Sequence, residues 1–439
     1  MKPYPRYKDS GVEWIGEVPE GWDVKPLKYV AAINEKTLTD KTDKNYQFYY
    51  IDIGNVTLGK IAFPKKKTSF ESAPSRARRL VEDGDTIIST VRTYLKAVAN
   101  INIDDSDIVV STGFAVVSPK FDYDKKYFSH LLTCEKIIYK ICSLSVGISY
   151  PAVNSSDIAN IQVWYPVSKE EQTVIATFLD RKTAEIDKLI ANKERLIKLY
   201  EEKKQAVINQ AVTKGLDPDA EMRESGVEWL GEIPEHWEVL QLDYLIRVKA
   251  RLGWKGLKAS EYVPEGYGFL STPNIKGAEI DYETINFISE DRYLESPEIM
   301  LQYNDVLLAK DGSTLGIVNI VKKLPFACTV NSSIAVLRVV RKEKILPDFL
   351  KYFMSCEAMQ QVIERVKGGM GVPHLFQGDI NKFKLLSPTI MEQTAIVHHI
   401  ETQCSRIDAI INKLKKQINL FKEYRTALIS EAVTGKIQI

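Results

Sequence analysis

Much of the usual machinery of catalysis and of membrane insertion is missing from this 439-residue sequence. The five cysteines (Cys134, Cys142, Cys328, Cys356, Cys404) form no CxxC pair and no regular framework, which argues against a zinc ribbon or a disulfide scaffold. Free thiols in a reducing cytoplasm are expected. No apolar run approaches the roughly 20 residues needed to span a bilayer. The opening MKPYPRYKDSGVEW is polar and lacks the apolar core of a signal peptide. No G-x-x-x-x-G-K-[ST] phosphate loop is present, so ATP-driven movement is not assigned to this chain. There is no Asn-Pro-Pro-aromatic segment of the kind that amino-methyltransferases place around a flipped base, and no G-x-S-x-G elbow supports a serine hydrolase. The five histidines include the adjacent His398 and His399, which differ by about 100° around a helix and so do not form an i, i+4 metal clamp. Neither a metal site nor a catalytic residue is expected.

Excess charge is also missing. The formal net charge is +1, whereas nucleic-acid binders often carry a strong positive excess. Clustering decides the local potential, however, and the bases are not evenly spread. Lys60 to Lys96 holds nine basic residues against four acids, and Arg247 to Lys258 holds five bases and no acid.

What the sequence does have is duplication. DSGVEWIGEVPEGWDV (Asp9 to Val24) returns as ESGVEWLGEIPEHWEV (Glu224 to Val239), an offset of 215 positions. EEQTVIATFLDRKTAEIDKLI (Glu170 to Ile190) returns as MEQTAIVHHIETQCSRIDAII (Met391 to Ile411), an offset of 221. Repetition over such a distance means two copies of one module. Between these anchors the order of short apolar runs is also shared. DVLLAKDG answers DTIISTVR, SSIAVLRV answers TGFAVVSP, DFLKYFMSCEAMQQVI answers a helix expected near Tyr127 to Ile141, and KGGMGVPHLFQGDI answers SVGISYPAVNSSDI. The expected fold is α+β, with strand-rich modules at 1–168 and 215–389. Each is followed by a long helix, at 169–214 and 390–439.

The helices carry matched apolar stripes. Leu179, Ile186, Tyr200 and Val207 fall at heptad position a, Ile175, Leu189 and Leu196 at d, and Ile190 and Ile197 at e. In the second copy Ile400, Ile407, Leu414, Phe421 and Leu428 fall at a, Ile396, Ile410 and Tyr424 at d, and Ile411 and Ile418 at e. Stripes of this length predict a pair of antiparallel coiled-coil helices and approximate two-fold symmetry. About 40 residues make a rod of roughly 60 Å. The plainer alternative is that each stripe packs on its own module.

Two similar modules suit a partner with two similar halves, and double-stranded DNA is the leading candidate. Lys65, Lys66, Lys67, Arg76, Arg78 and Arg79 are candidates for phosphate contacts; an ordinary solvated surface is the competing reading. Small residues in the two turn-rich segments would let the backbone approach DNA, placing Tyr150 and His374 near base edges or sugars. A simple tight turn fits the same pattern. After the strands DTIIST and DVLLAK, Arg92 and Tyr94 in one copy answer Lys310, Asp311 and Ser313 in the other. Arg or Lys donates to guanine O6 and N7, and Asp accepts from cytosine N4. Lys249, Arg251, Lys255 and Lys258 form the second copy's basic patch around Trp254. Trp14, Trp22, Trp229 and Trp237 lie in the repeated motif itself, where base contacts to differing half-sites would not be expected. They read instead as anchors of each module against the helices or a partner subunit.

WIGEVPEGW/WLGEIPEHW, the EEQ/MEQ helix starts, the AVTKG/AVTGK helix ends and the module–helix–module–helix order together resemble the specificity (S) subunit of type I restriction–modification systems. The resemblance covers essentially the whole chain; the one departure is AVTKGLDPDAE against AVTGKIQI at the helix ends. It implies a non-catalytic subunit with two target recognition domains, each reading half of a bipartite, asymmetric DNA sequence. The helices would set the gap and dock two methyltransferase (M) subunits, with motor–nuclease (R) subunits joining the full complex. S-adenosylmethionine, ATP and Mg would sit on those partners. A coiled-coil scaffold that never touches DNA is the alternative from another class.

Overall fold

A computed structural model of the chain describes residues 2–102, 107–250, 257–368 and 373–439. Two compact units emerge, one made of Met1–Glu194 with Lys415–Ile439, the other of Arg195–Leu414. Each unit thus contains one module and a part of each long helix, Lys169–Lys214 and Ile390–Val433.

The two modules are built alike. In the first, an antiparallel sheet runs Val98–Asn100, Thr86–Ser89, Phe114–Pro119, Ala31–Ile33. The second module repeats it in the same arrangement with Val318–Ile320, Val306–Ala309, Ile334–Val339 and Ile246–Lys249. A second sheet in each module contains a parallel pair, Gln47–Ile51 with Ile108–Ser111 and Tyr267–Leu270 with Cys328–Val330. The central strands Thr86–Ser89 and Val306–Ala309 are buried along their whole length, which is why Val306–Ala309 and the Ile87–Ile88 centre of the first strand show no polar alternation. A two-stranded ribbon closes each module, Trp22–Pro26 with Gln162–Pro166 and Glu238–Gln241 with Lys384–Ser387.

The single helix expected near Tyr127–Ile141 is two helices, Lys125–Leu132 and Glu135–Ser143. The break is at Cys134, whose backbone is extended (φ −70°, ψ 146°), after Thr133 has turned its hydroxyl back onto the Ser129 carbonyl. Cys356 breaks the equivalent pair, Pro347–Ser355 and Glu357–Val366, in the same conformation. Periodicity runs through such a break because both helices bury one face of the same module.

A buried glutamine ties each long helix to its module. Gln172 accepts from the Asp124 backbone N–H at 2.9 Å and donates to the Pro166 carbonyl at 2.8 Å. Gln393 accepts from Leu346 N–H and donates to the Pro388 and Lys344 carbonyls, each at 2.8 Å. Asp124 and Leu346 are the residues that cap the first module helices, so each amide satisfies backbone groups that water cannot reach.

The helices pair antiparallel within each unit. In the first, Asp187 meets Arg425 at 3.2 Å, and Lys193, further along, reaches back to Gln417 at 2.8 Å. In the second, Lys204 meets Asp408 at 2.7 Å while Ile208, Ala211 and Val212 share a core with Ile396, Ile400 and Cys404. The seam differs from the expected one. Ile175 and Ile396, assigned to d near the helix starts, are buried as expected, but the other four d positions (Leu189, Leu196, Ile410, Tyr424) are exposed, whereas Ile190, Ile411 and Ile418 at e are buried. Buried Thr183 and half-buried Lys193 fall on the same stripe, so the contact alternates between a and e. A helix apolar at a, d and e leaves two seams open, and the partner selects one. Among the described residues no helix is long and apolar enough to cross a membrane.

Candidate nucleic-acid interface

The six basic residues picked from the first patch divide sharply. Lys65 and Lys66 are exposed. Lys67 bonds to Asp107 at 2.9 Å and sits over the Tyr49 ring. Arg76 bonds to Tyr50 at 3.2 Å and pairs with Asp52, and Arg78 lies 3.7 Å from Asp40 and over the Phe70 ring. Three cations therefore face carboxylates that lie outside the counted stretch, from Asp40, Asp52 and Asp107. Tertiary contact restores a local neutrality that a window of sequence misses. Arg79 is half-buried in the strand Ala77–Leu80 with its Nε unpartnered among the described residues, and burial pulls its pKa down.

In the second patch Lys249 is half-buried at a strand end and Lys258 is exposed. Arg251, Trp254 and Lys255 lie outside the described residues. Trp22 and Trp237 are buried, each at 1% exposure, and donate to the Glu171 and Glu392 carboxylates at the starts of the long helices. Trp14 and Trp229 are half-buried and pack on Trp164 and Phe353 within their modules.

The turn residues are brought together. In the first module Arg92 N–H donates to the Pro151 carbonyl at 2.7 Å, and Val91 bridges Ala152. In the second, Gly312 N–H donates to the Pro373 carbonyl at 2.9 Å, and Asp311 bridges His374. Val91, Arg92 and Tyr94 are thus the counterparts of Asp311, Gly312 and Thr314, and Lys310 answers Thr90 rather than Arg92. This corner carries opposite chemistry in the two modules. In one, the Arg92 guanidinium lies 4.7 Å from the centre of the exposed Tyr150 ring, beside exposed Tyr94. In the other, Asp311 pairs with His374 and lies 3.4 Å from the Lys310 ammonium, with Ser313 exposed next to them.

Lys96 was not legible as a site residue. It has left-handed backbone (φ 52°), as does Arg92 (φ 50°), and its ammonium lies 4.8 Å from the Tyr139 ring. A left-handed residue with a Cβ costs roughly 1 kcal/mol. A cation over an exposed ring returns about 0.5–1 kcal/mol. The signal lay in the duplication: at the same backbone positions the second module has Gly312 (φ 67°) and Gly316 (φ 86°), residues for which this conformation is free. Among the described residues no group of three or more His, Cys, Asp or Glu side chains is placed to hold a metal ion.

Two like modules, each tied to a long helix, differ at this exposed corner. Residues 19–199 and 234–420 match the family model described as "Type I restriction modification DNA specificity domain", and the chain belongs to that family, with two copies of the domain. It is similar to the type I restriction enzyme MjaVIII specificity subunit of Methanocaldococcus jannaschii, 24% identical over 72% of this chain and 71% of that one. The MjaIX specificity subunit of the same organism is 25% identical over 97% of this chain and 95% of its own. Among solved structures, a chain from a study of complex assembly and conformational transition of the type I R-M system superposes with a TM-score of 0.75. It is 21% identical, and the match covers 96% of this chain and 99% of that one. The HsdS subunit from Thermoanaerobacter tengcongensis gives 0.54 at 22% identity, covering 96% and 98%. The fold and architecture are those of a type I restriction–modification specificity subunit.

Proposed function

We propose that this chain is the DNA-reading subunit of a type I restriction–modification complex and performs no catalysis itself. Each module binds one half of a bipartite, asymmetric target in double-stranded DNA, and the paired helices set the gap between the halves. The observation that carries this reading is the corner at Arg92 and Gly312: identical backbone connections hold a guanidinium over a tyrosine ring in one module and a carboxylate–imidazole pair in the other. One scaffold with two opposite chemistries suits two different half-sites. Of the remaining candidates, Lys65, Lys66, Lys249 and Lys258 supply phosphate contacts that fix register without reading sequence.

The helices dock two methyltransferase (M) subunits, and motor–nuclease (R) subunits join the full complex. S-adenosylmethionine, ATP and Mg belong to those partners. Apolar residues left exposed on the helices support this: Leu420 and Tyr424 in the first unit, Leu199 and Ile410 in the second. They supply apolar surface for subunit docking. Sequencing the methylated genome of a host that expresses this chain with its M subunit tests the reading. A bipartite, asymmetric methylated sequence is expected. A contiguous palindrome, or no added methylation, overturns it.

A further inference from the structure

Within the first module, and resting on the function proposed above, we infer that Arg92 is the residue that reads a base and Lys96 the residue that holds a phosphate beside it. Both are L-residues kept in left-handed backbone at either end of the short turn Thr93–Leu95. The sister module closes the same corner with Gly312 and Gly316, so the fold does not need side chains there. Retaining two cations at positions that oppose them points to a use for the cations.

Their surroundings define the ligand. Each charge is held over a tyrosine ring, Arg92 over Tyr150 and Lys96 over Tyr139, and all of Tyr94, Tyr139 and Tyr150 are more than half exposed. The contact with the Tyr150 ring holds the guanidinium at this corner, and its N–H fork can donate to a base with two adjacent acceptors. In the major groove that base is guanine, through O6 and N7. Lys96 is a point charge without a fork, suited to a phosphate oxygen. The first half-site therefore contains a guanine whose recognition depends on Arg92, and the second half-site does not depend on it.

The test uses the full chain and a pool of synthetic duplexes of random sequence, from which bound molecules are selected and sequenced. The wild type enriches a two-part sequence. R92G loses the preference for guanine in one half, keeps the other half intact, and binds the wild-type sequence about tenfold or more weakly. R92K retains the charge and the salt dependence but not the preference. K96G binds all sequences more weakly and lowers the slope of log affinity against log salt by about 0.9. Thermal midpoints of the glycine variants stay level or rise, because glycine relaxes the left-handed backbone. If R92G selects the same two halves as the wild type, the assignment falls while the proposed function stands. It falls equally if R92G weakens both halves together with the thermal midpoint, which marks a structural role. A wild-type chain that enriches nothing overturns the proposed function and this assignment with it.

Discussion

Trp237 donates its indole N–H to the Glu392 carboxylate at 3.2 Å, joining the module's repeated tryptophan motif to the first turn of a long helix. Trp22 makes the equivalent bond to Glu171 at 3.1 Å. Both rings are buried, so each bond lies at the edge of a large apolar contact rather than on an open surface. W237A and W22A are each expected to lower stability by about 3–5 kcal/mol, the range for deleting a buried aromatic side chain. W237F, which keeps most of the apolar contact but removes the donor, is expected to cost less. Denaturant unfolding of the full chain measures both. A loss under about 1 kcal/mol for W237A contradicts an anchoring role.

The helix seam makes a sharp contrast between neighbours. Ile190 and Ile411 are buried, while Leu189 and Ile410, one residue earlier, are exposed. I190A and I411A are expected to destabilise by about 2–4 kcal/mol. L189A and I410A are expected to stay within about 0.5 kcal/mol of the wild type in the chain alone. The reverse order would restore the a/d seam expected from the heptad pattern.

Acid sensitivity is expected where Asp180, on the first long helix, meets the first module. The hydrogen bond from His130 at 2.8 Å, with that from Lys126 at 2.9 Å, outweighs the effect of burial and holds the Asp180 pKa below its ordinary 3.8. A depressed folded-state pKa stabilises above the unfolded value and ceases to do so as pH falls through the folded one. D180N is therefore expected to be less stable than the wild type above about pH 5, with the gap closing as pH drops below the ordinary 3.8. Urea midpoints for both proteins across that range read the difference; a gap that widens toward acid contradicts the assigned sign.

The duplication was legible because it is written in anchors such as the Trp22 and Trp237 motifs, whose burial leaves little freedom in residue type. The positions of strands along the chain were legible for a related reason: Ile87–Ile88 and Val306–Ala309 are apolar and flanked by turn residues. The candidate site was less so. Arg76 and Arg78 read as free cations in sequence, but Asp52 and Asp40 lie opposite them in the fold, and Lys96 carries no local mark at all. Counting charge along the chain measures neighbours in sequence, whereas electrostatic potential depends on neighbours in space.

Sequence alone determined that there are two copies of one module, that each is followed by a long amphipathic helix, and that both copies belong to one family. Repeats and periodicity are properties of the chain and survive without coordinates. Only the tertiary structure decided which stripe of each helix became the seam, which cations are paired with a carboxylate, and that Arg92 and Lys96 hold a backbone conformation their counterparts leave to glycine. Each of these depends on a partner distant in sequence or on a dihedral angle, and neither is encoded in residue type at a single position.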